Sequence, residues 1–165
     1  MIIFSTMIGV DTFSWGKLIL LKKEKWNDLI SEIILKSDFF ITHEVKKEFE
    51  HFFPDEIDLL NFVTVLAKME IDYNASFIKG FDEADASLLE YSKSGDFMLI
   101  TEDHLMINEN ISGGNQIIQL VDFFGILFEQ EFISGKELYH LTKRLRKMTN
   151  ITKKKEKEIL NLRKA

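Results

Sequence analysis

The chain has no cysteine, one proline and eight glycines in 165 residues. Without cysteine there is no disulfide framework and no thiolate metal site, which accords with a reducing compartment. So little proline and glycine leaves small room for long loops or linkers, and no internal repeat is present. The patterns G-x-x-x-x-G-K-[ST], G-x-G-x-x-G and G-x-S-x-G are all missing, which removes phosphate cradling and the simplest serine-hydrolase chemistry. The four histidines, His43, His51, His104 and His140, are scattered without metal-ligand spacing. They are expected at the surface, with His104 the one nearest the candidate site. Long apolar runs are also scarce. Met1 to Leu21 lacks a basic leading region and carries Asp11 at its centre, so it does not read as a signal peptide. Ile117 to Phe128 is too short to cross a bilayer and contains Asp122. A cytoplasmic protein with no membrane segment is the expectation.

What is present points to a folded protein. Hydrophobic residues make up 45% of the chain, too many for disorder and enough for one domain with its own core. The phenylalanines read as core rather than as a base-stacking platform, since many fall within apolar runs. Net charge is −6, which on average argues against nucleic acid, but the average hides an asymmetry. Residues 136–165 hold 11 Lys/Arg against 3 Asp/Glu, whereas the first 135 residues hold 10 against 24. One domain over 1–148 with a basic extension over 149–165 is the expected organisation. An acidic body can hold a cation while a basic surface meets phosphate. Lys143, Arg144, Arg146, Lys147, Lys153, Lys154, Lys155 and Lys157 are the candidate RNA contacts, against the simpler alternative of a solvated terminal helix.

The periodicity predicts alternating elements. Ser5 to Val10 is a short buried strand with Asp11 at its end. Ser14 to Leu35 has helical spacing. Asp38 to Ile41 is a second strand, and Thr42 caps a helix running to about Phe53, broken by Pro54 and Asp55. Asp55 to Tyr73 reads as a helix followed by a strand. Asp82 to Ser94 is an amphipathic helix, capped near Asp82 and ended by Gly95. Phe97 to Thr101 and Gln116 to Leu120 are buried strands. Helices follow over Val121 to Phe128, from Ser134 to about Met148, and over Ile151 to Arg163. Strands alternating with helices imply a parallel sheet covered on both faces, an α/β fold in three layers.

In such sheets ligand sites form beyond the carboxyl ends of the strands. Asp11 and Asp103 both fall at strand ends, and neighbouring parallel strands would bring them together. Glu48 and Asp85 lie on the predicted helices. Hard cations take oxygen ligands, and carboxylates converging on one spot repel one another unless a cation sits among them. Each acid has a plainer alternative. Asp11 and Asp103 can cap the helices that follow them, Asp85 can simply favour a helix dipole, and Glu48 can be one of several solvated charges.

Order and spacing add weight. IGVDTF, then the helix ITHEVKKEF, then DEADASLLEYSKSG and, one strand on, ITEDHLM together resemble the PIN-domain family. QIIQLVDFFGIL resembles the strand and helix that close that domain, so the likeness runs from about Ile8 to Arg144. It implies a PIN-like nuclease domain with Asp11, Glu48, Asp85 and Asp103 as the shared acidic set around Mg²⁺ or Mn²⁺. Thr12 and Thr101 match the hydroxyl positions beside those acids, and Glu83 is an extra or substitute ligand. The implied activity is a metal-dependent endoribonuclease similar to VapC-type toxins, which form homodimers and are silenced by an antitoxin protein. A non-catalytic RNA- or protein-binding module and an RNA-processing or quality-control nuclease are the competing readings.

Overall fold

A computed structural model describes residues 6–68, 80–93, 97–109, 116–148 and 151–164. It is an α/β fold whose five-stranded sheet is flanked by helices. The strands are β1 (Met7–Val10), β2 (Phe39–Ile41), β3 (Thr64–Val65), β4 (Phe97–Ile100) and β5 (Gln116–Ile118), in the order β3-β2-β1-β4-β5. β1 lies between β2 and β4 and is parallel to both, with Ile8 opposite Phe39 and Val10 opposite Ile100. Parallel strands need crossover connections. The links are α1 (Thr12–Lys23), α2 (Asn27–Lys36), α3 (His43–Phe52), a 3₁₀ segment (Pro54–Phe62) and α4 (Glu83–Ser92), with the short α5 (His104–Ile107) after β4.

By packing, the chain divides into two compact units, Met1–Ile117 and Ile118–Ala165. In the first, β1 is buried at Ile8 and Val10, and Trp15 of α1 meets Phe39 and Phe49 edge-on at 5.7 and 5.6 Å. Edge-to-face contacts of this kind add to the gain from burying large apolar area. Gly9 is where β1 is pressed from both sides. A Cβ there would stand 2.6 Å from a Leu99 methyl and 2.8 Å from the Phe40 ring, so any side chain would displace those two core side chains.

The second unit holds α6 (Leu120–Glu129), α7 (Gly135–Met148) and α8 (Lys153–Asn161), packed on one another through Phe123, Phe124, Leu138, Leu141, Leu145 and Ile159. The basic tail is therefore part of a helical unit. Ile151 and Ile159 are buried, and a Cβ on Gly125 would lie 3.0 Å from Leu162. α7 and α8 pack on each other within this second unit, which begins at Ile118.

The elements follow the periodicity with two corrections. The expected helical stretch from Ser14 to Leu35 is two helices. Lys22, Lys23, Glu24 and Lys25 offer no apolar side chain to bury, and Glu24 leaves the helix at φ −79°, ψ −120°. The expected strand Gln116 to Leu120 stops at Ile118. Gln119 caps α6 in a reciprocal box with Asp122, whose carboxylate accepts the Gln119 N–H at 3.1 Å. Thr42 and Asp82 cap their helices as expected, and Ser134 caps α7, accepting from Glu137 N at 3.1 Å. In the 55–73 stretch the helix is a 3₁₀ segment and the strand is β3. Residues 69–79 and Gly95 lie outside the described residues. Among the described residues no helix is long and apolar enough to cross a membrane.

Candidate acidic site

The site grows from the adjacency of β1 and β4. Both strands end at the same level, and the Asp11 N–H donates to the Ile100 carbonyl at 3.1 Å. Asp11, 4% exposed, then turns the chain into α1, accepting from Ser14 N at 2.8 Å through Oδ1. Its other oxygen accepts from the buried Thr101 hydroxyl at 2.5 Å. That hydroxyl also accepts the Asp103 N–H at 3.0 Å, so one side chain fixes both strand-end acids. Asp103 caps α5, accepting from Leu105 N at 2.9 Å. The capping alternative is therefore true of both residues, and it aims their carboxylates rather than competing with a site.

Two helices bring the other acids. Thr42 caps α3 by accepting from Val45 N at 3.2 Å, and its hydroxyl lies 2.6 Å from that of Ser87 on α4. Ser87 gives its own proton to the Ala84 carbonyl at 2.6 Å, so Thr42 must be the donor between them. This buried link joins α3, which carries Glu48, to α4, which carries Asp85. Glu48 in turn accepts from the Thr12 hydroxyl at 2.6 Å, tying α3 to the start of α1.

The electrostatics record the convergence. Desolvation, then the charges of Asp82, Asp11, Asp103 and Glu48, push the Asp85 carboxyl from 3.8 up to about 8. Glu48 is also raised, by burial first and then by Asp82 and Asp11, against the Thr12 hydrogen bond that lowers it. Burial raises Asp11, although Thr101, Ser14 and the Lys17 ammonium oppose the shift. Asp11, Glu48 and Asp103 thus all act on Asp85, and Asp11 acts on Glu48 as well. The fifth member is Asp82, whose carboxylate caps Asp85 N at 2.9 Å and whose charge acts on Asp85 and Glu48; both Asp82 and Glu83 are exposed, but Glu83 is not among the charges acting on either. Sequence reasoning treated Asp82 only as a cap. The signal that would have found it is its place one turn before Asp85 on the same helix start.

Lys17 was also missed. It is 5% exposed on the inward face of α1, paired with the buried Glu102 at 3.4 Å, and its ammonium lies 4.9 Å from the centre of the Phe13 ring. Desolvation lowers its pKa, while Glu102 and Asp11 oppose that shift. A lysine in step with the buried Ser14, Leu18 and Leu21 was the available clue.

Among the described residues no three acids or histidines stand in a geometry that holds a metal ion as they are. The donor chemistry nonetheless fits a hard divalent cation. Its ligands would all be carboxylate oxygens, and the proton that Asp85 retains is one that cation binding would displace.

The RNA-contact candidates lie in the second unit. Lys155 is bound to Asp122 at 2.9 Å and Lys143 to Glu156 at 3.2 Å, with Lys143 also 5.6 Å from the Tyr139 ring. Arg144 and Arg146 are half-buried or less, and Lys147, Lys153, Lys154 and Lys157 lie towards solvent. His104 is exposed at the start of α5.

Comparison with protein-family models found no match, and searches of curated proteins and of solved structures found none either. The geometry and chemistry of the acidic cluster therefore carry the functional reading.

Proposed function

We propose that the protein is a metal-dependent endoribonuclease with a PIN-like, three-layer α/β/α fold. One observation supports the reading above all. Asp11, Glu48, Asp85 and Asp103, from four different places in the chain, converge beyond two adjacent parallel strands, and burial together with this crowding raises the Asp85 carboxyl to about 8. A fold gains no stability from such crowding, and strongly perturbed acids gathered in this way mark functional sites. Asp11, Asp85, Asp103 and Glu48 would hold Mg²⁺ or Mn²⁺, with Asp82 in the supporting place expected for Glu83. Thr101 and Thr12 each donate to one of these acids, fixing how those carboxylates are turned. A bound divalent cation would acidify a water and offset charge growing on the scissile phosphate. The chain's own task is to gather the acids and aim them, with Thr101 and Thr12 as donors to two of them. Both a homodimer and an antitoxin-type protein partner accompany this reading, as does the toxin role.

A second reading, a binding module without catalysis, has one observation in its favour: no described group of three acids is drawn into ligating geometry. Cleavage of mixed RNA in Mn²⁺, Mg²⁺ or EDTA, by wild type and Asp11→Asn, separates the two. The nuclease reading expects cutting in Mn²⁺ or Mg²⁺, none in EDTA, and a loss of at least about a hundredfold in the variant. Cutting that survives both EDTA and the substitution excludes this mechanism. RNA binding without cutting in any condition favours the module.

A further inference from the structure

Both strand-end acids are followed by an exposed apolar side chain. Phe13, after Asp11 and Thr12, is 66% exposed, and Leu105, after Asp103 and His104, is 57% exposed. Each opens the helix that its acid caps, so each stands at the margin of the carboxylate cluster. Phe39, Phe40, Phe49, Phe123 and Phe124 are buried in the core, whereas the exposed Phe52 and Phe62 close α3 and the 3₁₀ segment and do not follow a strand-end acid. Phe13 combines three features: a place beside the acids, an open ring, and a cation holding that ring. The Lys17 ammonium lies 4.9 Å from the ring centre, and Lys17 is itself pinned by the buried Glu102 at 3.4 Å. A cation over a ring attracts it through the ring's negative face, and a desolvated cation does so more strongly. Exposing a phenylalanine costs hydrophobic stabilisation, and immobilising it beside an acidic site adds nothing to the core.

Resting on the nuclease reading, we propose that Phe13 is a stacking platform for one unpaired nucleobase of the RNA, next to the phosphate that the acids address. The Lys17–Glu102 pair acts as a positioning device that keeps the ring at that angle. Every base offers a π-face, so such a contact favours unpaired strands while reading no sequence. It also supplies affinity at a place where the carboxylates repel the phosphate backbone.

The test uses the full chain in Ca²⁺, to limit turnover, and a single-stranded oligoribonucleotide carrying 2-aminopurine, whose fluorescence is quenched when it stacks. Wild type should quench the probe on binding. Phe13→Ala should bind the single strand about fivefold to a hundredfold more weakly without quenching, the range expected when one stack is removed. Phe13→Trp should retain both, and Lys17→Met should weaken quenching where Lys17→Arg keeps it. Mn²⁺ binding by Phe13→Ala should equal wild type. Unchanged binding and quenching in Phe13→Ala would overturn the proposal, as would an equal loss on single-stranded and duplex RNA. Loss of binding to a copurifying protein with RNA binding intact would overturn it too, assigning the ring to a protein partner. None of these results touches the nuclease reading, which falls instead if cutting survives both EDTA and Asp11→Asn.

Discussion

The second unit of this chain and the acidic site of the first treat charge in opposite ways, although the first unit also pairs charges elsewhere, as Lys36 with Glu32 at 3.3 Å. The second, with 11 Lys/Arg and 6 Asp/Glu over residues 118–165, pairs opposite charges. Asp122 takes Lys155 while also capping α6, and Glu156 takes Lys143 from the neighbouring helix. The first unit, with 10 Lys/Arg and 21 Asp/Glu over residues 1–117, sets acids beside acids at its sheet end. Lys17, buried there, makes its ion pair with Glu102 and not with the four clustered carboxylates. Paired surface charges are ordinary and contribute up to about 1 kcal/mol each. Like charges crowded together and partly desolvated oppose folding, and they persist where a ligand is to be met. The contrast sets a unit that answers its acids with lysines against a site whose acids call for a cation.

The largest way to break the contrast is to remove one charge from the crowd. Asp85 holds its proton up to about pH 8 in the fold, against 3.8 as a free carboxyl. Below the lower value both folded and unfolded chains are protonated, and no penalty arises. As pH climbs between the two values the unfolded chain ionises first, so the metal-free fold loses stability. Asp85→Asn should therefore melt above wild type in EDTA at pH 8.5, by on the order of 5 °C, with the gap closing near pH 4. A gap that stays constant with pH, or widens towards acid, would mean that Asp85 is not crowded.

A smaller effect sharpens the other side. Lys153 and Lys154 are exposed at the start of α8, whereas Lys155 is engaged by Asp122. If the second unit meets RNA, alanine at both Lys153 and Lys154 should lower the salt slope of single-strand binding, by about 0.7 for each phosphate no longer neutralised. Lys155→Ala should change the slope less and cost up to about 1 kcal/mol of stability, read by thermal melting. Equal slopes for all three variants and wild type would remove the tail from RNA binding.

Much of this was legible in the sequence because it depends on local rules. Short apolar runs gave β1 and β4. Asp11 directly follows β1 and Asp103 lies shortly beyond β4, places where an acid can cap the next helix and face a ligand at once. Glu48 was legible only through resemblance, since its selection over Glu44 and Glu50 depends on a long-range contact with Thr12. Asp82 and Glu83 were hard to rank because both open the same helix. Both are exposed, and it is the N-cap bond to Asp85 N that sets Asp82 beside Asp85, so a one-residue error in the cap reverses that choice. Phe13 could not be separated from the core phenylalanines, because exposure is a property of the packed chain. Similarly, the tail's basic count was visible, but its pairing with Asp122 joins residues 33 apart in sequence.

The central claim, that the acids of the first unit form a cation site, is tested most directly by melting the protein at pH 7.5 across a Mn²⁺ titration. Wild type should gain stability with Mn²⁺, by about 2.7 kcal/mol at a hundred times Kd, which is on the order of 5–10 °C for a chain of this size. Binding should release protons, and Asp11→Asn should lose most of the gain. A melting temperature unmoved by Mn²⁺, or raised equally in Asp11→Asn, would contradict the account.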